Sequence, residues 1–157
     1  MPDSELAPLK RMIIERACEQ LSLAYARSVD FRDYDAFVEL FDDDALLDLG
    51  MRLEGKGAIR ESMQKRSNEI RTRHVLTNIF IEVQDSKHAR GVSYLTLYRH
   101  VGTESIRTDV PVPTILPTAV GHYDDVFVLT PKGWRFKSRK LQVAFRNPNT
   151  VKSKPVG

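Results

Sequence analysis

Four histidines, His74, His88, His100 and His122, are the first candidates for moving a proton. Around them stand Tyr25 and Asp30 near the end of an N-terminal helical pattern, Asn78 four residues after His74, and Arg139 late in the chain. An imidazole beside a poorly solvated carboxylate is held in one tautomer and its charged form is favoured, which makes it a stronger base. Such a base can remove a proton from carbon, a contribution of about 10²–10⁴-fold. A tyrosine hydroxyl can then polarise a carbonyl or assist a departing oxygen. His88 follows Lys87 in a turn and reads as solvated. The chain has no Cys/His cluster, HExxH helix, phosphate loop or GxSxG elbow, so metal hydrolysis, nucleotide binding and serine hydrolysis lack support. Eight acidic residues fall between Asp30 and Asp48 without calcium-loop spacing and read as a solvated edge. No metal and no cofactor are expected.

Each candidate also has a purely structural reading. His74 could be a satisfied histidine at a strand start, and Asp30 could cap the helix that follows near Asp33. Tyr25 lies on the apolar face of its helix and could simply pack. Arg139 shares a basic strand with Arg135 and Lys137, which suits a solvated edge. His100 and His122 could be structural hydrogen-bonders, and Asn78 a tie to backbone or to the histidine ring. Trp134, Phe136 and Cys18 read as packing residues.

The elements that must position these groups follow from periodicity. From Ser4 to about Val29, Leu9, Met12, Ile13, Ala17, Leu21, Ala24, Tyr25 and Val29 recur at helical spacing and predict one broad buried face. Ser4 is the expected N-cap, with Pro8 in the first turn. A short helix is expected over Tyr34–Phe41, stopped by Asp42-Asp43-Asp44, then a brief strand over Ala45–Leu49. A third helix is expected over Ala58–Ile70, after Gly55 and Gly57. Four strands follow: His74–Val83, Ala89–Val101, Ala119–Leu129 and Trp134–Phe145. Gly102–Pro117 carries Pro111, Pro113 and Pro117 and reads as a long loop, a candidate lid or subunit contact. Strand parity places His74, Leu76, Asn78 and Phe80 on one face. Helices followed by a run of antiparallel strands mean α+β, with helices on one face of a curved sheet. Neither face of the late strands is cleanly polar, so a partner chain or a ligand cavity is expected to cover the second face.

Composition narrows the classes further. The 157 residues suit one domain, with a core over about 8–146 and a tail over 147–157. Hydrophobic residues make up 41%, enough to bury about two-thirds of the unfolded chain's surface. The net charge of +3 is too small and too evenly spread to argue for nucleic acid. Apolar runs are too short to span a membrane, and the N-terminus lacks signal-peptide order. A lone cysteine, Cys18, forms no internal disulfide and fits a reducing cytoplasm.

Several stretches together resemble a known family. Tyr25-Ala26-Arg27-Ser28-Val29-Asp30-Phe31-Arg32-Asp33-Tyr34-Asp35, followed by Phe41-Asp42-Asp43-Asp44-Ala45, is similar to the opening of a SnoaL-like domain of the NTF2-like superfamily. Arg73-His74-Val75-Leu76-Thr77-Asn78, Gly121-His122-Tyr123-Asp124-Asp125 and Gly133-Trp134-Arg135-Phe136-Lys137-Ser138-Arg139 resemble the later motifs in the same order. The pattern covers roughly residues 8–146. It is nearest to scytalone dehydratase, bile-acid 7α-dehydratase and hexachlorocyclohexane dehydrochlorinase, and is shared by β subunits of ring-hydroxylating dioxygenases.

The resemblance implies an NTF2-like cone: a strongly curved, mostly antiparallel sheet wrapped by three N-terminal helices around an apolar pocket. It implies a catalytic His–Asp pair at His74 and Asp30, a helping tyrosine at Tyr25, and a basic pocket residue at Arg139. It places His100 near a second histidine of scytalone dehydratase, although the spacing around Tyr25 and Asp30 differs from that enzyme. Arg139, His100 and Asn78 are the candidate substrate-binding residues. The expected activity is a cofactor-independent, dehydratase-type lyase acting on a small hydrophobic carbonyl, aromatic or steroid-like substrate. A proton-shuttling isomerase would use the same residues. A non-catalytic oxygenase β-subunit-like scaffold, or an apolar-ligand binding module, is the rival class. A homo-oligomer is expected, a trimer by resemblance with a dimer as alternative.

Overall fold

A computed structural model describes residues 6–113 and 116–150. Helix α1 (Pro8–Asp30) opens with Pro8 in its first turn, where a missing N–H costs nothing. Its N-cap is Ala7, which makes no side-chain cap; the expected cap Ser4 lies outside the described residues. The buried stripe runs through Ile14, Cys18, Leu21, Tyr25 and Val29, while Leu9, Met12 and Ile13 are exposed. The expected face was therefore rotated at its N-terminal end. The helix ends as Arg32 enters the left-handed region at φ 61°, and Asp33 N–H returns to Ser28 O at 2.8 Å. Asp33, not Asp30, caps the short helix α2 (Tyr34–Val38), accepting from Ala36 N–H at 3.1 Å. Asp30 is thereby left free to point toward the sheet.

Strand β1 (Phe41–Asp48) begins earlier than expected and takes in the Asp42–Asp44 run, where Lys137 ion-pairs with Asp42 and Asp44. A three-residue strand, β2 (Arg52–Glu54), was not anticipated. Helix α3 (Lys56–Gln64) ends sooner than its pattern suggested, because Ile70 opens the long strand β3 (Ile70–Val83). Strands β4 (His88–Val101), β5 (Ala119–Thr130) and β6 (Gly133–Arg146) complete one open sheet in the order β2-β1-β6-β5-β4-β3. Only β1 and β6 run parallel; the other neighbours are antiparallel. Among the described residues the architecture is α+β, three α-helices against one sheet.

The inner face carries the core: Leu95, Tyr123, Phe127 and Phe136 from the strands meet Cys18, Tyr25 and Phe37 from the helices, all at most 2% exposed. Burying each such side chain contributes about 1.5–3 kcal/mol before entropy is counted. One departure from parity matters. Thr77 pairs with Tyr94 but Phe80 with Val92, so Asn78 and Ile79 together oppose Ser93 in a β-bulge. Asn78 sits at φ 49°, a conformation asparagine tolerates better than most residues. The extra residue turns Phe80 outward, 68% exposed, and directs Val83 into the core. Among the described residues no helix is long and apolar enough to cross a membrane.

Candidate active site

The site begins where the last turn of α1 crosses β3. Asp30 Oδ1 lies 2.6 Å from His74 Nδ1, and Asp30 Oδ2 accepts the His74 backbone N–H at 2.7 Å. Thr72 Oγ1 donates to Asp30 Oδ1 at 2.8 Å. Both side chains of the pair are nearly enclosed, 9% exposed for His74 and 6% for Asp30. Burial pushes the Asp30 carboxyl up, but the His74 ring, its backbone N–H and the Thr72 hydroxyl together hold it below the usual 3.8. An ionised Asp30 fixes the Nδ1–H tautomer and presents Nε2 as the acceptor. Nε2 makes no hydrogen bond among the described residues. The arrangement orients the imidazole with one nitrogen held and the other open, the geometry that proton transfer requires.

Tyr25 stands beside the pair, its ring edge-on to the His74 ring with centroids 6.1 Å apart. Burial raises its hydroxyl above the ordinary 10.0, opposed by the charge of Arg139, and its side chain hydrogen-bonds Tyr123. The hydroxyl is thus a neutral donor, not a base.

Arg139 is not on a solvated edge: it is 0% exposed. Its Nε and Nη2 grip Asp125 Oδ1 and Oδ2 at 2.8 Å each, and Nη2 also donates to Ser22 Oγ at 2.9 Å. The guanidinium lies 4.2–4.3 Å from the ring centroids of Tyr25, Tyr123 and Phe136. Burial opposes its charge, yet Asp125 more than restores it, so Arg139 is held protonated. Burial also raises Asp125, against the pull of Arg139. The two-point contact with an always-charged guanidinium makes this an ion pair. Its Nη1 is buried without a partner.

The remaining candidates are not gathered here. His100 pairs with Arg71, one position out of step with Thr72 and His74, so its side chain leaves the sheet on the opposite face; its Nδ1 meets Ser105 Oγ at 2.7 Å. Asn78 is exposed in the bulge. His88 pairs with Asp85 in an exposed turn, and His122 lies 3.5 Å from Asp124. Burial pushes the Cys18 thiol up to about 12, which removes it as a nucleophile at neutral pH. Thr72, Tyr123 and Asp125 belong to the site without having been singled out. The signal for Asp125 lay in its Gly121–Asp125 stretch, but choosing between Asp124 and Asp125 required the β5–β6 register.

At the level of Tyr25 the interior is filled by Phe37, Phe41, Tyr123 and Phe136 rather than hollow. A surface hollow of about 310 Å³ lies on the other face of the sheet, where Arg71, Arg73, Tyr98 and His100 project, and is lined also by Pro111 and Val112. Among the described residues no group of three His, Cys, Asp or Glu could hold a metal ion.

Comparison with known proteins bears on the family and the fold. Residues 11–140 match the model of the SnoaL-like domain. A scytalone dehydratase candidate from Novosphingobium aromaticivorans superposes with TM-score 0.76 at 18% identity, over 94% of this chain and 95% of that one. A type 2 hexachlorocyclohexane dehydrochlorinase, LinA, gives 0.73 at 16%, over 96% and 99%. An NTF2-like protein with a cystatin-like fold, also from Novosphingobium aromaticivorans, gives 0.70 at 21%, over 92% of each. No curated protein matches the sequence significantly.

Proposed function

The chain belongs to the SnoaL-like domain family, and from that premise we propose that it is a cofactor-independent lyase of the dehydratase type. The observation that carries the reading is the 2.6 Å contact between His74 Nδ1 and Asp30 Oδ1, with Nε2 left unbonded. Structural neighbours that bear dehydratase and dehydrochlorinase names support the same class of elimination.

In this reading His74 Nε2 takes a proton from a carbon next to an activating carbonyl or ring. The electrons of that C–H bond form the new double bond as hydroxide leaves the neighbouring carbon. The imidazolium returns its proton to the hydroxide, so the products are an alkene and water. Asp30 stabilises the charged ring at the moment it forms. Tyr25, packed against the His74 ring, holds the imidazole in place, and Arg139 steadies Tyr25 from within the core. The substrate is a small hydrophobic organic molecule; abstraction without departure of hydroxide would make the same residues an isomerase. The chain acts as a homo-oligomer through the outer sheet face, where Val75, Phe80, Tyr94 and Phe145 are uncovered. Glu82, Asp124 and Asp125 line one hollow there with Arg90 and Lys140; Asp125 is taken up by Arg139, which leaves two acids and two bases for a contact with a second copy.

The test is a panel of hydroxylated ketones, aromatic alcohols and steroids assayed for loss of water. His74→Ala is expected to lower kcat/KM by at least about 100-fold on any substrate turned over. A loss of no more than about tenfold, roughly 1.4 kcal/mol of barrier, would remove His74 as the base. No turnover across the panel by a protein that co-purifies with a larger subunit would favour the scaffold reading instead.

A further inference from the structure

The Asp30 carboxylate is held by three donors from one strand: the His74 ring at 2.6 Å, the His74 backbone N–H at 2.7 Å and the Thr72 hydroxyl at 2.8 Å. Two of them, the imidazole and the hydroxyl, converge on the same oxygen, Oδ1. Thr72 and His74 stand two residues apart in β3 and so project to one face, which is how both reach a carboxylate from α1. Two of the three donors belong to the residue that Asp30 orients. Thr72 is the only independent support of the carboxylate among the described residues. It is 5% exposed, so bulk water is not there to replace its hydroxyl.

The direction of the Thr72 bond is fixed from behind. Arg66 Nη2, at 3.4 Å, can only donate, so it faces a lone pair of Thr72 Oγ1. An ionised carboxylate can only accept, so the single hydroxyl proton lies toward Asp30. The other charged and titratable groups around the pair act elsewhere. Tyr25, from α1, stands edge-on to the His74 ring, and Arg139, from β6, lies behind it and is matched by Asp125. Arg99, from β4, lies across the ladder from Thr72. Arg73, on β3 itself, donates to the carbonyl of Thr72 at 2.7 Å and to that of Asp30 at 3.5 Å. Burial pushes the Asp30 carboxyl up, and His74 and then the Thr72 hydroxyl draw it down. The hydroxyl also fixes the plane of the carboxylate, so that Oδ1 faces Nδ1.

We propose that Thr72 is a positioning residue: its hydroxyl, backed by Arg66, holds the Asp30 carboxylate in the orientation that aims the His74 ring. That the aimed ring moves a proton rests on the reading of His74 as the base; the hold of Thr72 on Asp30 does not. Two substitutions separate this role from packing. Thr72→Val keeps the shape and removes the hydroxyl, whereas Thr72→Ser keeps the hydroxyl and removes a methyl group.

The first readout is the carbon-13 shift of the Asp30 carboxyl followed against pH in the full chain, its signal assigned by its loss in Asp30→Asn. In Thr72→Val, Asp30 is expected to take up its proton at higher pH than in wild type, since burial then meets one donor fewer. In Thr72→Ser the titration is expected to match wild type. On any substrate the wild type turns over, Thr72→Val is expected to lower kcat about tenfold with KM little changed, and Thr72→Ser to restore most of that loss. If Thr72→Val does not fold, Thr72→Ala, which also lacks the hydroxyl, replaces it in both readouts. An Asp30 titration unmoved in Thr72→Val, or moved as far in Thr72→Ser, would overturn the proposal. So would a Thr72→Val kcat within about twofold of wild type where His74→Ala loses about 100-fold. The carboxyl titration needs no substrate, so its failure and the failure of the His74→Ala test are independent results.

Discussion

Asp30 serves its neighbours with two oxygens: Oδ1 holds the His74 ring and the Thr72 hydroxyl, Oδ2 the His74 backbone N–H. Its native pKa lies below the free value, so its ionisation stabilises the fold above the unfolded pKa of about 4, and that gain is lost as pH falls through the lower native pKa. Asp30→Asn is therefore expected to cost about 1–3 kcal/mol at neutral pH. The deficit relative to wild type should shrink steadily in denaturant titrations below about pH 4. Asp125 presents the harsher case. Asp125→Asn would leave the Arg139 guanidinium enclosed with no counter-charge, an expected loss of about 3–5 kcal/mol in chemical unfolding. Adding Arg139→Met should recover much of it, because the pair's removal as a unit is far cheaper than breaking it. Of these residues, His74 and Asp30 were legible because their motif stretches resemble a family pattern. Thr72, Tyr123 and Asp125 were not, because each acts through contacts from distant strands that leave no mark on local spacing.

The elements themselves were legible in type and order, from three helices to four closing strands. Their edges and faces were less so. The face of α1 was misjudged at its start because Leu9, Met12 and Ile13 fit a helical stripe as well as Ile14 and Cys18 do; which stripe is buried depends on where the sheet lies. The inward set expected for β3 was right through Leu76 and wrong from Asn78 on, because hydrophobic alternation carries no sign of an inserted residue. The β5–β6 ladder is tight in a different way. A Cβ on Gly121 would collide with the backbone of Gln142 and Val143, where the ladder shifts register. Gly121→Ala is expected to destabilise by about 1–3 kcal/mol through forced backbone displacement, read as a lower denaturant midpoint with an unchanged m-value.

At the scale of the molecule, the sheet has one face committed to the helices and another left bare. Exposed Phe80, Tyr94 and Phe145, at 68%, 52% and 72%, exceed what an isolated chain usually leaves to water. Phe80→Glu is expected to shift the scattering mass on size exclusion toward the 18.0 kDa of one chain without altering the far-UV spectrum; an unchanged assembly would exclude this face. That apolar side chains would stand on the outer face could be read from the strands, since neither of their faces is polar throughout. Which side chains meet it could not, because the answer turns on the bulge at Asn78. That bulge makes β3 a strand of two phases. Ahead of it, Thr72 and His74 are locked to the interior beside Asp30; beyond it, Phe80 and Glu82 are handed to the exterior. The two stretches are decoupled by a single left-handed residue, so sequence drift at 80 and 82 can remodel the outer surface while the imidazole keeps its place. One strand thus lets the outer surface and the interior pair diverge at separate speeds.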